Sequence, residues 1–310
     1  MAFTMHSHSG QFCPGHAKDQ LEDIIKHAIS IGYKTMALTE HMPRYEERDL
    51  YPEEMDDPKA SLAVLPPRHE AYLVEARRLQ ALYAPQIHLL VAFEAEYIRP
   101  DFGPYVHRLL ADGVPDFFIG SVHHVHSIPI DYDGAAYARA VAASSSSPSA
   151  SEEGLEGEDA LYADYYDLQL LMLQDLKPRV VGHFDLIRLL SDDPARDPRA
   201  CRPVWDRIVR NLRVIRDAGA WLECNSAALR KGLAEPYPGR AIAEEWVKMG
   251  GRFTVSDDSH GIDQVATNYP RALAFLESLG VQEVWTFRRE GAALNEVSVP
   301  LGTFREAFPW

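Results

Sequence analysis

His6 and His8 stand one residue apart in Met5-His-Ser-His-Ser9, and Asp258 and His260 repeat that spacing near the other end of the chain. On an extended backbone alternate side chains share a face, so each pair can present two donors to one ion without distortion. Between the two pairs, short apolar runs keep ending in side chains of the same kind. Lys34-Thr-Met-Ala-Leu-Thr39 leads to Glu40-His41, and His88-Leu-Leu-Val-Ala-Phe93 leads to Glu94 and Glu96. Asp116-Phe-Phe-Ile-Gly-Ser121 leads to His123, Val180-Val-Gly182 to His183, and Trp221-Leu-Glu-Cys-Asn225 ends in Glu223 and Asn225. His16 lies in the turn-rich Phe12-Cys-Pro-Gly-His16, which can fold back over the first strand end. The recurrence predicts a multinuclear metal site. Two carboxylates on one strand face are costly to bury unpaired, so a cation is expected beside Glu94 and Glu96. Glu94 is the preferred ligand, and its two oxygens suit it to bridge two ions. Pairing of both glutamates with arginines such as Arg99 is the competing reading.

Other polar residues stand close to these. Of Glu40 and His41, one is expected to ligate while the other orients a neighbour. His124 and His126 are expected to face the far side or the loop, as solvated histidines or as groups for substrate contact. Arg188 follows His183 at loop distance and could clamp a phosphate in bidentate fashion, with a structural ion pair to Asp185 as the alternative. Asn225, Arg230 and Lys231 follow the Trp221 strand and are candidate substrate contacts. Of Asp257 and Asp258, the second keeps the one-residue spacing to His260 and is taken as the ligand. His27, His69, His88 and His107 fall within helices or at strand starts and are read as structural.

The elements that must position this set alternate. Leu21, Ile24, Ile25 and Ala28 recur at helical spacing within 19–31, ahead of Gly32 and the strand at Lys34. Pro66-Pro67 is read as opening a helix to Leu82, closed by Pro85, before a strand over 87–95. Helices over 159–176, 198–218 and 240–249 precede strands at Val180, Trp221 and Phe253. Such alternation implies a mostly parallel sheet under covering helices, with ligands where strands end and loops begin. The segment 44–67, rich in Glu, Asp and Pro, is expected as a loop over the site. The run from 135 to 159, containing Ser144-Ser-Ser-Ser-Pro-Ser149, is expected as a disordered surface insertion within a single 1–310 domain.

Composition limits what the site can serve. With 310 residues, of which 46% are hydrophobic, the chain can bury a large core. A formal charge of −15 without clustered Lys and Arg argues against nucleic acid or an anionic membrane as partner. Three cysteines without C-x-x-C spacing give neither a disulfide framework nor a structural zinc site. The first motif at His6 leaves no room for a signal peptide, and a cytoplasmic enzyme is expected.

The ordered set His6-x-His8, Phe12-Cys-Pro-Gly-His16, Thr39-Glu-His41, Phe93-Glu94, Ser121-Val-His123, Gly182-His-Phe-Asp185 and Ser256-Asp-Asp-Ser-His260 resembles the polymerase-and-histidinol-phosphatase (PHP) superfamily. It is most similar to the histidinol-phosphatase branch, and the resemblance spans nearly the whole chain. It implies a distorted seven-stranded β/α barrel with three divalent transition-metal ions, Zn, Fe or Mn, at the C-terminal rim of the strands. By resemblance, one ion takes His6, His8, Glu94 and Asp258. A second takes Glu94, His123 and His183, and the third His16, His41 and His260. Glu94, Asp258 and His260 are implied to carry catalysis.

The implied activity is hydrolysis of L-histidinol phosphate, a small phosphate ester, to L-histidinol and phosphate in histidine biosynthesis. A phosphate monoester dianion repels nucleophiles, and clustered cations both neutralise that charge and activate water at neutral pH. The alternatives are a related phosphoesterase acting on another small ester or nucleotide, or a metal-binding module without catalysis. A metal-dependent amidohydrolase on a similar barrel is a third, for which no strand-end lysine is well placed.

Overall fold

The computed structural model describes residues 1–291 and 293–308. Seven strands form one sheet in the order β1 (Ala2–Thr4), β2 (Tyr33–Leu38), β3 (His88–Glu96), β4 (Phe117–Ser121), β7 (Val180–Val181), β8 (Trp221–Asn225) and β9 (Arg252–Ser256). Between β4 and β7 lies a small hairpin of β5 (His124–Val125) and β6 (Ile128–Pro129), and an antiparallel pair, β10 (Glu283–Glu290) and β11 (Ala293–Pro300), follows the barrel strands. Every pairing in the seven-stranded sheet is parallel. The strands read as continuous apolar runs because both faces are covered, one by the barrel interior and one by helices.

The sheet nearly closes on itself. Its outer strands meet through a parallel bridge between Ser7 and Ser259, with Met5 N donating to Val255 O at 3.2 Å and His8 N to Ser259 O at 2.8 Å. The N-terminal end of the barrel is plugged by β10. Phe287 stacks on Trp221, with ring centres 4.5 Å apart, and meets Phe117 at 5.2 Å. Those two residues begin β8 and β4, so the opposite, C-terminal rim is left for the ligand-bearing loops.

The covering helices are α1 (Leu21–Ser30), α2 (Pro58–Tyr83), α3 (Gly103–Leu110), α4 (Gly134–Ser145), α5 (Pro148–Glu153), α6 (Gly157–Leu176), α7 (Arg202–Asp217), α8 (Ala227–Arg230), α9 (Arg240–Lys248), α10 (Tyr269–Ser278) and α11 (Leu301–Glu306). In α1 the expected stripe, Leu21, Ile24, Ile25 and Ala28, is the buried face. Gly32 follows at φ 101°, and a Cβ there would lie 2.9 Å from Ala307 O.

Two expectations are corrected. α2 begins at Pro58, not at Pro66-Pro67, because Asp57 caps it by accepting from Ala60 N and Pro58 occupies the first turn. Pro66 and Pro67 lie inside the helix. The expected disordered insertion over 135–159 is helical. Asp133 caps α4 through Ala136 N, and Ala136, Tyr137, Ala140 and Ser144 form a buried stripe at helical spacing. Ala150 and Leu155 pack with Ala160 and Ala163, while Glu153 pairs with Arg207 at 2.6 Å.

Candidate metal centre

Every strand of the barrel delivers something to the C-terminal rim. His6 and His8 follow β1, His41 follows β2, Glu94 and Glu96 end β3, His123 follows β4, His183 follows β7, Glu223 and Asn225 end β8, and Asp258 and His260 follow β9. Glu94, 1% exposed, lies at the centre. Its Oε2 is 3.3 Å from His6 Nε2, 3.5 Å from His8 Nε2 and 3.0 Å from His41 Nδ1. The other oxygen, Oε1, is 3.0 Å from His183 Nε2 and 3.5 Å from His123 Nε2. One carboxylate thus faces two separate groups of rings. Asp258 Oδ1 lies 3.4 Å from His8 Nε2 and 3.7 Å from His6 Nε2.

Supporting groups fix these side chains. Glu223 Oε1 lies 2.9 Å from His6 Nδ1 and accepts from Ser256 Oγ, which turns His6 Nε2 toward Glu94. Its other oxygen accepts from His183 N at 2.8 Å and from Asn225 Nδ2 at 3.0 Å. Carboxylates that orient imidazoles in this way raise ligand basicity and set the tautomer. The Glu40-His41 pair divides its roles. His41 faces the cluster, while Glu40 Oε1 accepts from Ser9 N at 2.9 Å and Ser9 Oγ at 2.6 Å, anchoring the loop after His8. Glu96 lies 2.9 Å from His41 Nδ1 and accepts from Arg44 at 3.3 Å. Arg99 is occupied elsewhere, with Asp49 at 2.9 Å and Glu46 at 2.6 Å.

The two aspartates separate cleanly. Asp257 accepts from Tyr33 OH at 2.6 Å and Ala266 N at 2.8 Å, and burial pushes its pKa up. Asp258 turns toward the rings from a left-handed backbone, φ 47°, a conformation that costs a non-glycine residue about 1 kcal/mol or more. Arg230 holds it there, donating to the carbonyls of Asp257 and Asp258 at 2.9 Å each.

The electrostatics follow from burial and crowding. Burial alone would raise the Glu94 carboxyl, but the surrounding His6, His123, His41 and His183 rings hold it well below its ordinary value. Asp258 is held low in the same way by His6, His8 and His260. Burial, reinforced by the His41 charge, lowers His8 to about 3, so its ring is neutral and its lone pair is available.

His8, His41 and His260 form one group with donor atoms within 4.8 Å of one another, His6, Glu94 and His183 a second, and His6, His8 and Asp258 a third. His6 Nε2, both nitrogens of His8 and of His41, His123 Nδ1 and His183 Nδ1 are buried without a hydrogen-bond partner among the described residues. Imidazoles and carboxylates converging in this way fit divalent transition ions.

His16 lies at the exposed lip of the same cleft as His41 and His260, its Nδ1 3.1 Å from Glu53 and its ring 5.8 Å from His41 and 6.3 Å from His260, while His8 brings a donor atom within 4.8 Å of those two. Other expected positions differ. His124 is buried at 1% exposure with its ring 5.0 Å from Tyr51, because the β5–β6 turn folds it inward, whereas His126 is exposed and pairs with Asp164 at 2.7 Å. Arg188 is spent on structure. It donates to Asp185 Oδ2 at 2.8 Å and to the carbonyls of Glu235 and Pro236 at 3.1 and 2.7 Å. Asn225 is fully buried and donates to Glu223 and to Asp258, at 3.3 Å, as a positioning group. Arg230 and Lys231 do line the open cleft of about 460 Å³ above the cluster, with Asp131, Tyr132, Leu186 and Gln264. Glu223 and Glu96, which were not in the implied ligand set, hold the ligand-type rings. Their strand spacing was the signal.

No helix among the described residues is long and apolar enough to cross a membrane. Comparison with known proteins agrees with the geometry. The PHP domain family model matches residues 4–227. A Schizosaccharomyces pombe protein named "Probable histidinol-phosphatase" is 39% identical over 304 residues, covering 96% of this chain and 95% of its own. The Saccharomyces cerevisiae histidinol-phosphatase is 30% identical, with 87% of each chain covered. Among solved structures, a Listeria monocytogenes protein designated hisK superposes with TM-score 0.71 at 20% identity over 87% of this chain and 99% of its own. The Lactococcus lactis histidinol phosphate phosphatase, solved with zinc, L-histidinol and phosphate, gives 0.66 at 18% identity over 95% of this chain and 98% of its own. With the family model matched over most of its length and relatives aligned nearly end to end, this chain belongs to the PHP family.

Proposed function

We propose that this chain is a metal-dependent phosphomonoesterase that hydrolyses L-histidinol phosphate to L-histidinol and phosphate, in the cytoplasm and as a step of histidine biosynthesis. The observation that carries the reading is Glu94, whose two oxygens each face a different group of buried imidazoles at the rim of a barrel shared with histidinol-phosphatases. His6, His8, Glu94 and Asp258 would hold one ion, Glu94, His123 and His183 a second, and His16, His41 and His260 a third, which His8 also approaches. Zinc, iron and manganese all suit such a donor set. When bound, these ions supply Lewis acidity that neutralises phosphate charge and acidifies water at neutral pH.

The chain's own groups do the rest. Glu223, Glu96 and Asn225 hold the rings and Asp258 in position before substrate arrives, so little reorganisation is needed at the moment of reaction. Lys231, exposed in the cleft and without an ion pair among the described residues, is free to meet the phosphate dianion. Arg230, by pinning the carbonyls of Asp257 and Asp258, fixes the backbone that presents Asp258. Phosphate release from L-histidinol phosphate, phosphoserine, a nucleoside monophosphate and p-nitrophenyl phosphate under one metal condition tests the reading. The expected catalytic efficiency for L-histidinol phosphate exceeds the others by at least about tenfold, since a wrong leaving group leaves buried polar groups unpaired. Equal efficiencies would replace the reading with a broader phosphoesterase.

A further inference from the structure

All phosphate esters offer the metal cluster the same group, so selection between them must come from whatever meets the alcohol portion. The cleft contains one carboxylate that the protein leaves uncommitted. Asp131 lines it beside His123, His183 and Asp258, and among the described residues it accepts no hydrogen bond and forms no ion pair. Its neighbours are rings whose nitrogens already face Glu94, and its charge is felt at His16, His123 and His124.

The backbone holds Asp131 firmly. His124 and Val125 pair with Pro129 and Ile128, and Ile130, itself fully buried, donates its N–H to His123 O at 2.9 Å. Two residues beyond Asp131, Asp133 is fixed as the cap of α4, accepting from Ala136 N at 2.7 Å. Asp131 and Tyr132 are therefore a two-residue span tied at both ends. Tyr132, 42% exposed, presents its ring at the mouth of the same cleft and faces Glu53 on the opposing loop. An anion next to an exposed aromatic face suits a flat or compact organic cation, through charge attraction and cation–π contact. Lys231, the uncommitted cation of the cleft, suits the phosphate end.

We propose that Asp131 and Tyr132 form the leaving-group subsite, which selects phosphate esters whose alcohol carries a protonated amine or imidazolium. The proposal rests on the phosphomonoesterase reading and adds the residues that set its specificity. Asp131→Asn and Asp131→Glu would be assayed as metal-loaded full chains, with thermal melts to confirm folding. The expected result is a fall of about tenfold or more in the ratio of kcat/KM for L-histidinol phosphate over that for p-nitrophenyl phosphate in Asp131→Asn, expressed in KM, with partial recovery in Asp131→Glu. Inhibition by L-histidinol should weaken in parallel, more than inhibition by inorganic phosphate. The ratio of phosphoethanolamine to glycerol phosphate reads the same subsite without histidinol. Wild-type protein that hydrolyses esters with no preference for histidinol phosphate would remove the substrate reading alone. A cation-to-neutral ratio unchanged by Asp131→Asn, or an equal loss on both esters, would overturn the subsite.

Discussion

Replacing Glu94 by Gln keeps the side-chain volume but removes the charge and one of the two acceptor oxygens that face separate ring groups. The barrel core does not depend on it, so far-UV circular dichroism should be unchanged while turnover falls by about 100-fold or more. Near-wild-type turnover would show that Glu94 holds no ion. Asn225→Ala tests a different role. Asn225 ties Glu223 to Asp258 and caps the turn at Ala227 N, 2.8 Å away, and its full burial keeps it from substrate. Zinc affinity, titrated against a competing chelator, should drop by about tenfold, with KM unchanged once metal is saturating. A raised KM at saturating metal would instead make Asn225 a substrate contact. The spacing of residues around Trp221–Asn225 shows that these groups reach the rim, but a buried strand end and an open cleft look alike in sequence. Which way Asn225, Arg188 and His124 turn is decided by partners far along the chain, Asp258, Pro236 and Tyr51.

At the level of elements, the segment from Ser145 to Gly157 offers a clear experiment. Gly157 N donates to Ser145 Oγ at 2.9 Å, so the ends of the intervening turn and α5 already meet. Replacing residues 147–155 by a short Gly-Ser linker should leave turnover within about twofold, because loop-closure entropy changes slowly with length. Stability measured by urea unfolding should fall by about 1–2 kcal/mol, through loss of the Ala150 and Leu155 burial and the Glu153–Arg207 pair. A collapse of turnover would make this segment part of the active site. Its helices are hard to see in sequence because the segment's Ser-rich polar composition masks their spacing. Ala136, Ala140 and Ser144 bury a narrow stripe of small side chains that carries little apolar signal. The barrel strands β2, β3, β4, β7, β8 and β9, by contrast, are legible to within a residue or two, since each is an apolar run leading to a ligand-type side chain, whereas β10 and β11 carry no such ending and are not expected from it. The start of α2 is hard to place from sequence because Pro66-Pro67 resembles a first turn while the cap at Asp57 stands nine residues earlier.

Across the whole molecule, the cluster concentrates ionised carboxylates and imidazole rings in a buried volume of a chain with net charge −15. Ions that bind the folded chain and not the unfolded one stabilise it by mass action, about 2.7 kcal/mol at a free concentration 100 times Kd. Chelator-treated protein should therefore melt at lower temperature in calorimetry, and zinc should restore the melt. Identical melts with and without metal would argue against ions at these residues. Elemental analysis of the loaded protein should approach about three ions per chain, given three overlapping donor groups. Saturation at a single ion would discard the trinuclear arrangement.

The seam between β1 and β9 couples this chemistry to the history of the chain. In translation His6 and His8 precede Asp258 and His260 by some 250 residues. At about 5–20 residues per second, tens of seconds pass between the two. Throughout that interval the nascent polypeptide exposes imidazoles with no partner stave, and it can neither close the barrel nor complete the coordination set. The donor groups that draw on Asp258 or His260 thus wait for β9, and a fragment ending before it would be expected to carry most of the histidines yet bind fewer ions than the closed barrel.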